Sequence, residues 1–90
     1  MQEEREKIIK LLLKKALKKG GYIELGSFLK SCGGLRHKKG GKIGKNVVKR
    51  VISELKRSKI IAVHRGVIYL VFSPPLLKLV LRYGGEYSGG

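Results

Sequence analysis

Lys42–Lys59 reads KIGKNVVKRVISELKRSK. Wound at 3.6 residues per turn, it places Ile43, Val47, Val48, Val51, Ile52 and Leu55 at steps of three and four, which makes one apolar stripe. Lys45, Asn46, Lys49, Arg50, Ser53, Lys56 and Arg57 fall on the other side. One face asks for a protein core and the other for an anion. The spacing therefore predicts an amphipathic helix over 43–57, around which the rest of the chain packs.

Directly after it come Ile60-Ile61-Ala62-Val63, the tripeptide His64-Arg65-Gly66, and Val67-Ile68-Tyr69-Leu70-Val71-Phe72. Two β-branched runs around a glycine-bearing turn predict a hairpin. Both runs are more continuously apolar than alternating, so the hairpin is expected to be largely covered on its two faces. Pro74-Pro75 breaks the second run. Leu76–Tyr83 then predicts a short helix with only Lys78 and Arg82 charged, and Pro75 suits its first turn. That surplus of apolar surface leaves two readings open: a cap on the domain's own core, or a face for a second copy together with the first helix.

Toward the N-terminus, Glu3–Lys19 carries Ile8, Ile9, Leu12, Leu13, Ala16 and Leu17 at helical spacing. Acidic residues open it, lysines close it, and Gly20 offers a stop that tolerates positive φ. Tyr22–Leu25 reads as a brief edge strand. Gly26–Cys32 reads as a short helix with Ser27 as its N-cap and Gly33-Gly34 as its end. Gly33–Lys42 brackets Arg36, His37, Lys38 and Lys39 with paired glycines, which describes a basic loop able to order upon an anion. Gly84–Gly90 reads as a flexible tail, leaving residues 1–83 as one domain.

Composition narrows the partner. The chain has 90 residues, 21 Lys and Arg against six Glu, and a formal charge of +15. Such an excess suits polyanions. There is no Asp, Thr or Trp, and only one Asn and one Gln. Scarce amides beside abundant charge point toward a thermophilic source. Cys32 is alone, which excludes an internal disulfide or a cysteine metal cluster and makes it a small core residue. No uninterrupted apolar run approaches the ~20 residues of a membrane span, and no signal peptide is present, so a cytoplasmic, nucleoid-associated protein is expected.

The order helix, short strand, helix, loop, helix, hairpin over roughly residues 3–72 resembles the winged helix-turn-helix superfamily of DNA-binding domains, as a small archaeal-type or archaeal-virus-type regulator. The resemblance implies an α+β fold of three helices, a short β-hairpin wing and a C-terminal apolar helix. By the same resemblance, 43–57 would be the recognition helix in the major groove and His64-Arg65-Gly66 the wing tip. Lys45, Asn46, Lys49, Arg50 and Ser53 are then the candidates for base contact, because Asn can pair with adenine and Arg or Lys with guanine. Arg36, His37, Lys38, Lys39, Lys42, Lys56, Arg57 and Arg65 are the candidates for backbone or minor-groove contact. One departure stands out: the segment joining the second and third helices is long and basic, where the family has a short turn.

The function expected is double-stranded DNA binding by a transcriptional regulator, with a homodimer through Leu76–Tyr83 and the first helix as one of the two open readings, and with no cofactor, no membrane and no small-molecule substrate. An RNA-binding ribosomal component and a chromatin-like protein without sequence choice are the alternatives. Tyr22 and Phe28 alone among the aromatics precede the hairpin, and the sequence displays no aromatic platform for unstacked bases, which favours the duplex. Catalysis is not expected. Glu3, Glu4, Glu6, Glu24, Glu54 and Glu86 are scattered, and His37 and His64 lack ligand spacing.

Overall fold

A computed structural model describes residues 2–35 and 41–83. The elements run α1 (Gln2–Lys18), β1 (Tyr22–Glu24), α2 (Leu25–Cys32), α3 (Lys45–Arg57), β2 (Ile61–His64), β3 (Val67–Leu70) and α4 (Pro74–Tyr83). The fold is α+β, four helices against an open antiparallel sheet of strand order β1-β3-β2. No described helix is long and apolar enough to cross a membrane. Arg36, His37, Lys38, Lys39 and the tail 84–90 lie outside the described residues.

Helix α1 forms the floor of the core. Ile8, Ile9, Leu12, Leu13 and Ala16 are buried along one stripe, and the helix closes in a Schellman turn. Gly21 N–H reaches the Ala16 carbonyl at 2.7 Å and Gly20 N–H the Leu17 carbonyl at 3.1 Å. Gly20 takes φ +91°, a value glycine adopts without steric cost. The chain then turns straight into β1.

The start of α2 differs from the sequence expectation. Glu24 occupies the N-cap position with no side-chain cap, and Ser27 lies inside the helix. The reason is topological: β1 feeds α2 without a linker, and Leu25 N–H is taken by the Gly66 carbonyl at 2.8 Å. The hairpin tip thus satisfies one of the first-turn donors that have no partner inside the helix. Phe28 and Cys32 then turn into the core. Burial pushes the Cys32 thiol up to about 12, so it stays neutral and inert.

Helix α3 starts two residues later than the apolar pattern alone implies. Gly44 is its extended N-cap, and a Cβ there would meet nothing within 4 Å, so this glycine marks a boundary and not a close contact. Ile43 just before the cap and Val48 four residues into the helix are both buried, the arrangement of a hydrophobic staple. Val51, Ile52 and Leu55 continue the buried face. Arg5 Nε donates to Glu54 Oε2 at 2.8 Å, tying α3 to α1 on the solvent side. Both partners of that pair are half-exposed, which limits its worth to about 0–1 kcal/mol. Burial of the apolar stripe, and not this pair, fixes the helix.

The end of α3 is a second Schellman turn, with Lys59 N–H to the Lys56 carbonyl (3.0 Å) and Ile60 N–H to the Leu55 carbonyl (2.9 Å). Here the left-handed position is held by Lys59, at φ +61°. A side chain there costs about 1–2 kcal/mol relative to glycine in the folded state. Lys59→Gly should therefore stabilise the domain by about 0.5–1 kcal/mol after the unfolded-chain entropy is deducted. A thermal melt should show this as a rise of roughly 2–8 °C.

The hairpin expected from the sequence is present but shorter, and β1 joins it. Tyr22, Ile23 and Glu24 pair with Tyr69, Ile68 and Val67. Ile61, Ala62, Val63 and His64 pair with Leu70, Tyr69, Ile68 and Val67. Alternation along each strand turns Ile23, Ile68, Ile61 and Leu70 into the core. The other face carries exposed Tyr22, Glu24, Ala62, His64 and Tyr69. The expectation that the hairpin is covered on both faces is thus incorrect: the helices all pack against one side.

Helix α4 begins at Pro74, ahead of the expected Leu76, with Leu77 N–H bonded to the Ser73 carbonyl at 3.0 Å. Leu76 and Tyr83 are buried. Lys10 Nζ of α1 lies 5.5 Å from the centre of the Tyr83 ring and joins α4 to α1, while the Arg82 guanidinium of α4 itself lies 5.7 Å from the same ring. The helix caps the core with one face. Its other face leaves Leu77 61% and Leu81 78% exposed, beside Phe72 at 78%.

Candidate nucleic-acid interface

Every candidate for base contact lies on the solvent side of α3. Lys45, Asn46, Lys49, Arg50 and Ser53 are exposed, as are Lys56 and Arg57. At 3.6 residues per turn, Asn46 and Ser53 fall in the middle of the exposed arc, with Lys49, Arg50 and Arg57 beside them. Glu54 falls at one edge, where Arg5 engages it. Because Gly44 is the N-cap, Asn46 sits in the first turn without a capping role. Its amide is free to serve an outside partner.

This face is polar because the opposite face is fully used. Val48, Val51, Ile52 and Leu55 are buried in the core, and no polar or charged side chain is buried among the described residues. The helix cannot rotate without exposing that stripe and burying cations, an exchange costing several kcal/mol. The core thus sets the direction in which Lys49 and Arg50 point.

Lys42 is exposed immediately before Ile43. Ile43 N–H bonds the Leu35 carbonyl at 3.3 Å, so the chain just after α2 and the chain just before α3 lie side by side.

Arg65 occupies the two-residue turn between β2 and β3. Arg65 has φ +50° and Gly66 φ +75°, the signature of a type I′ turn. The first position of such a turn favours Asn or Gly, so an arginine is held there against local preference. The expected tip was His64-Arg65-Gly66, but His64 belongs to β2, paired with Val67. Arg65 lines a shallow cleft with Tyr22, Glu24, Gly66, Val67 and Tyr69, none of them from α3. The α3 cations and the hairpin-tip cation are consequently two groups on separate elements.

The pairing of Tyr22 with Tyr69 is not legible in the sequence. The two rings lie 6.3 Å apart, inclined at 36°, on the open face of the sheet. The alternation in Tyr22-Ile23-Glu24 and Val67-Ile68-Tyr69-Leu70 signals that each tyrosine faces away from the core, but no local signal joins β1 to β3. Among the described residues no three His, Cys, Asp or Glu side chains come together. No known protein family, characterised protein or solved structure matches the chain.

Proposed function

We propose that this chain is a winged helix-turn-helix protein that binds double-stranded DNA, inserting α3 into the major groove as a transcriptional regulator. The observation that carries the reading is the division of α3: an apolar face locked in the core, and an opposite face presenting Lys45, Asn46, Lys49, Arg50 and Ser53 to solvent. The element order and the strand order β1-β3-β2, with the hairpin directly after α3, support the winged-helix assignment. An α-helix fits the major groove, where Asn, Arg and Lys can each read a base edge. Lys42, Lys56, Arg57 and Arg65 would meet phosphate or the minor groove, joined by Arg36, His37, Lys38 and Lys39. The role is binding and not catalysis, in the cytoplasm on the nucleoid.

Selection from random duplexes tests this. Asn46→Ala should relax the preference at one base position, whereas Lys56→Ala should weaken all duplexes alike. A clear preference for structured RNA would sink the reading, and absence of enrichment would make the protein architectural.

Arg65→Asn separates function from stability at the turn. The substitution suits a type I′ turn, so the melting temperature should hold or rise by a few degrees. Duplex affinity should nonetheless fall severalfold through the lost charge.

A homodimer is part of the proposal. Leu17 of α1 and Phe72, Pro74, Leu76, Leu77 and Val80 line an apolar groove, with Leu77 and Leu81 exposed beside it. A second copy covering this surface would pair two α3 helices on one duplex. Sedimentation of the wild type against Leu77→Lys checks it: a monomer in both would remove the dimer from the reading.

A further inference from the structure

We propose that the open face of the sheet is a second nucleic-acid surface, where Tyr22 and Tyr69 stack unpaired bases and Arg65 holds the adjoining phosphate. The register lays this face out as two cross-strand rows, Tyr22–Tyr69–Ala62 and Glu24–Val67–His64. Tyr22, on the edge strand β1, is 48% exposed, and Tyr69, on the central strand β3, is 43% exposed. No described helix covers them, and the core is complete on the other side. Ala62 beside Tyr69 and Gly66 near the tip are too small to shield the ring faces.

A directly opposed aromatic pair also strengthens a sheet, but three observations go beyond that role. The rings are 6.3 Å apart and tilted, so they are not stacked upon one another. Bases inside a duplex turn their faces to one another, so rings lying side by side on an open sheet face can stack only on bases that have left a helix. Such a surface therefore takes single strands and rejects the duplex. Arg65 lines the same cleft as both tyrosines, and it holds its place in a backbone conformation that an arginine seldom adopts.

Charge names the occupant. A chain of +15 with an arginine at the rim of an aromatic cleft fits a polyanion whose units carry π-faces. Glu24 lines the cleft too and would repel phosphate. The strand's backbone should therefore run along the Arg65 side while the bases lie across the tyrosines. Stacking is indifferent to base identity, so the site would bind without strong sequence preference. The sheet site is independent of α3 and lies on a different face of the fold; Arg65 at the hairpin tip is the one residue it shares with the duplex reading.

The test uses the full chain with fluorescein-labelled oligo-dT and oligo-rU at fixed salt. Tyr22→Leu and Tyr69→Leu should each weaken binding roughly fivefold or more, and Tyr22→Phe and Tyr69→Phe, which keep a ring, should retain it. Comparison of the two oligomers identifies the source of the strand, DNA or RNA. Binding of neither, or equal binding by the wild type and the folded Leu variants, would overturn the proposal. Should a Leu variant fail to fold, photo-crosslinking of an iodouracil oligomer to the wild type decides. Adducts are expected in the tryptic peptides Gly20–Lys30 and Gly66–Lys78, and adducts confined to α3 would refute the assignment. Charge reversal at Lys49 and Arg50 keeps the two surfaces distinct, because duplex binding should be lost while Tyr-dependent binding of the single strand persists.

Discussion

Raising salt from about 50 to 200 mM should weaken duplex DNA binding roughly a thousandfold. Lys42, Lys45, Lys49, Arg50, Lys56, Arg57 and Arg65 are all exposed, so their attraction to phosphate acts through solvent and is screened by it. Neutralising about six phosphates predicts a slope near −5 in log K against log salt. A fourfold rise in salt then gives about three decades. Removing one phosphate-binding lysine should lower the slope by about one, whereas Asn46→Ala should leave it unchanged. The measurement is a salt series on one duplex with the wild type, Lys56→Ala and Asn46→Ala. A flat profile would mean that the exposed cations are only a solvated surface, and duplex binding through α3 would fall with it.

How far the chain could be read depends on which interactions are local. The stripe Val48, Val51, Ile52 and Leu55 repeats every three or four residues, and its burial follows from helix geometry alone. Gly20 as a helix stop and Arg65-Gly66 as a turn are equally local, since each meets a backbone requirement within a few residues. The position of β1 is not. Its three residues pair with β3 some 45 positions away, and nothing in Tyr22-Ile23-Glu24 names its partner. Because that pairing was illegible, so was the juxtaposition of Tyr22 and Tyr69. The cap of α2 failed for the same reason: Ser27 looked like a helix start, but the donor at Leu25 is served by Gly66 from the distant hairpin. The cationic candidates were found by pattern, since an amphipathic helix announces both its faces. Asn46 gained in definition only when Gly44 proved to be the cap.

Leu55→Ala should cost about 2–5 kcal/mol, the largest stability loss expected from a single substitution in α3. The side chain is 1% exposed, and its carbonyl receives the Ile60 N–H that turns the chain from α3 into β2. Truncation leaves a cavity under both the helix and the start of the hairpin. A domain of 90 residues has a total stability of about 5–15 kcal/mol and sits toward the low end for its size. The variant should therefore lose a large share of it. Urea titration would show this as a lower midpoint with an unchanged m-value, while Lys56→Ala, on the opposite face, should shift stability by no more than about 0.5 kcal/mol. Binding discriminates further. If Leu55 acts only by holding α3 in place, the folded fraction of the variant should bind duplex DNA as the wild type does in the cold, and DNA should restore part of its stability by mass action. Arg50→Ala should do the reverse, keeping the melt and losing the affinity. The opposite pair of results, a stable Leu55→Ala that no longer binds and an unstable Arg50→Ala that does, would mean that the two faces of α3 have been assigned the wrong way round.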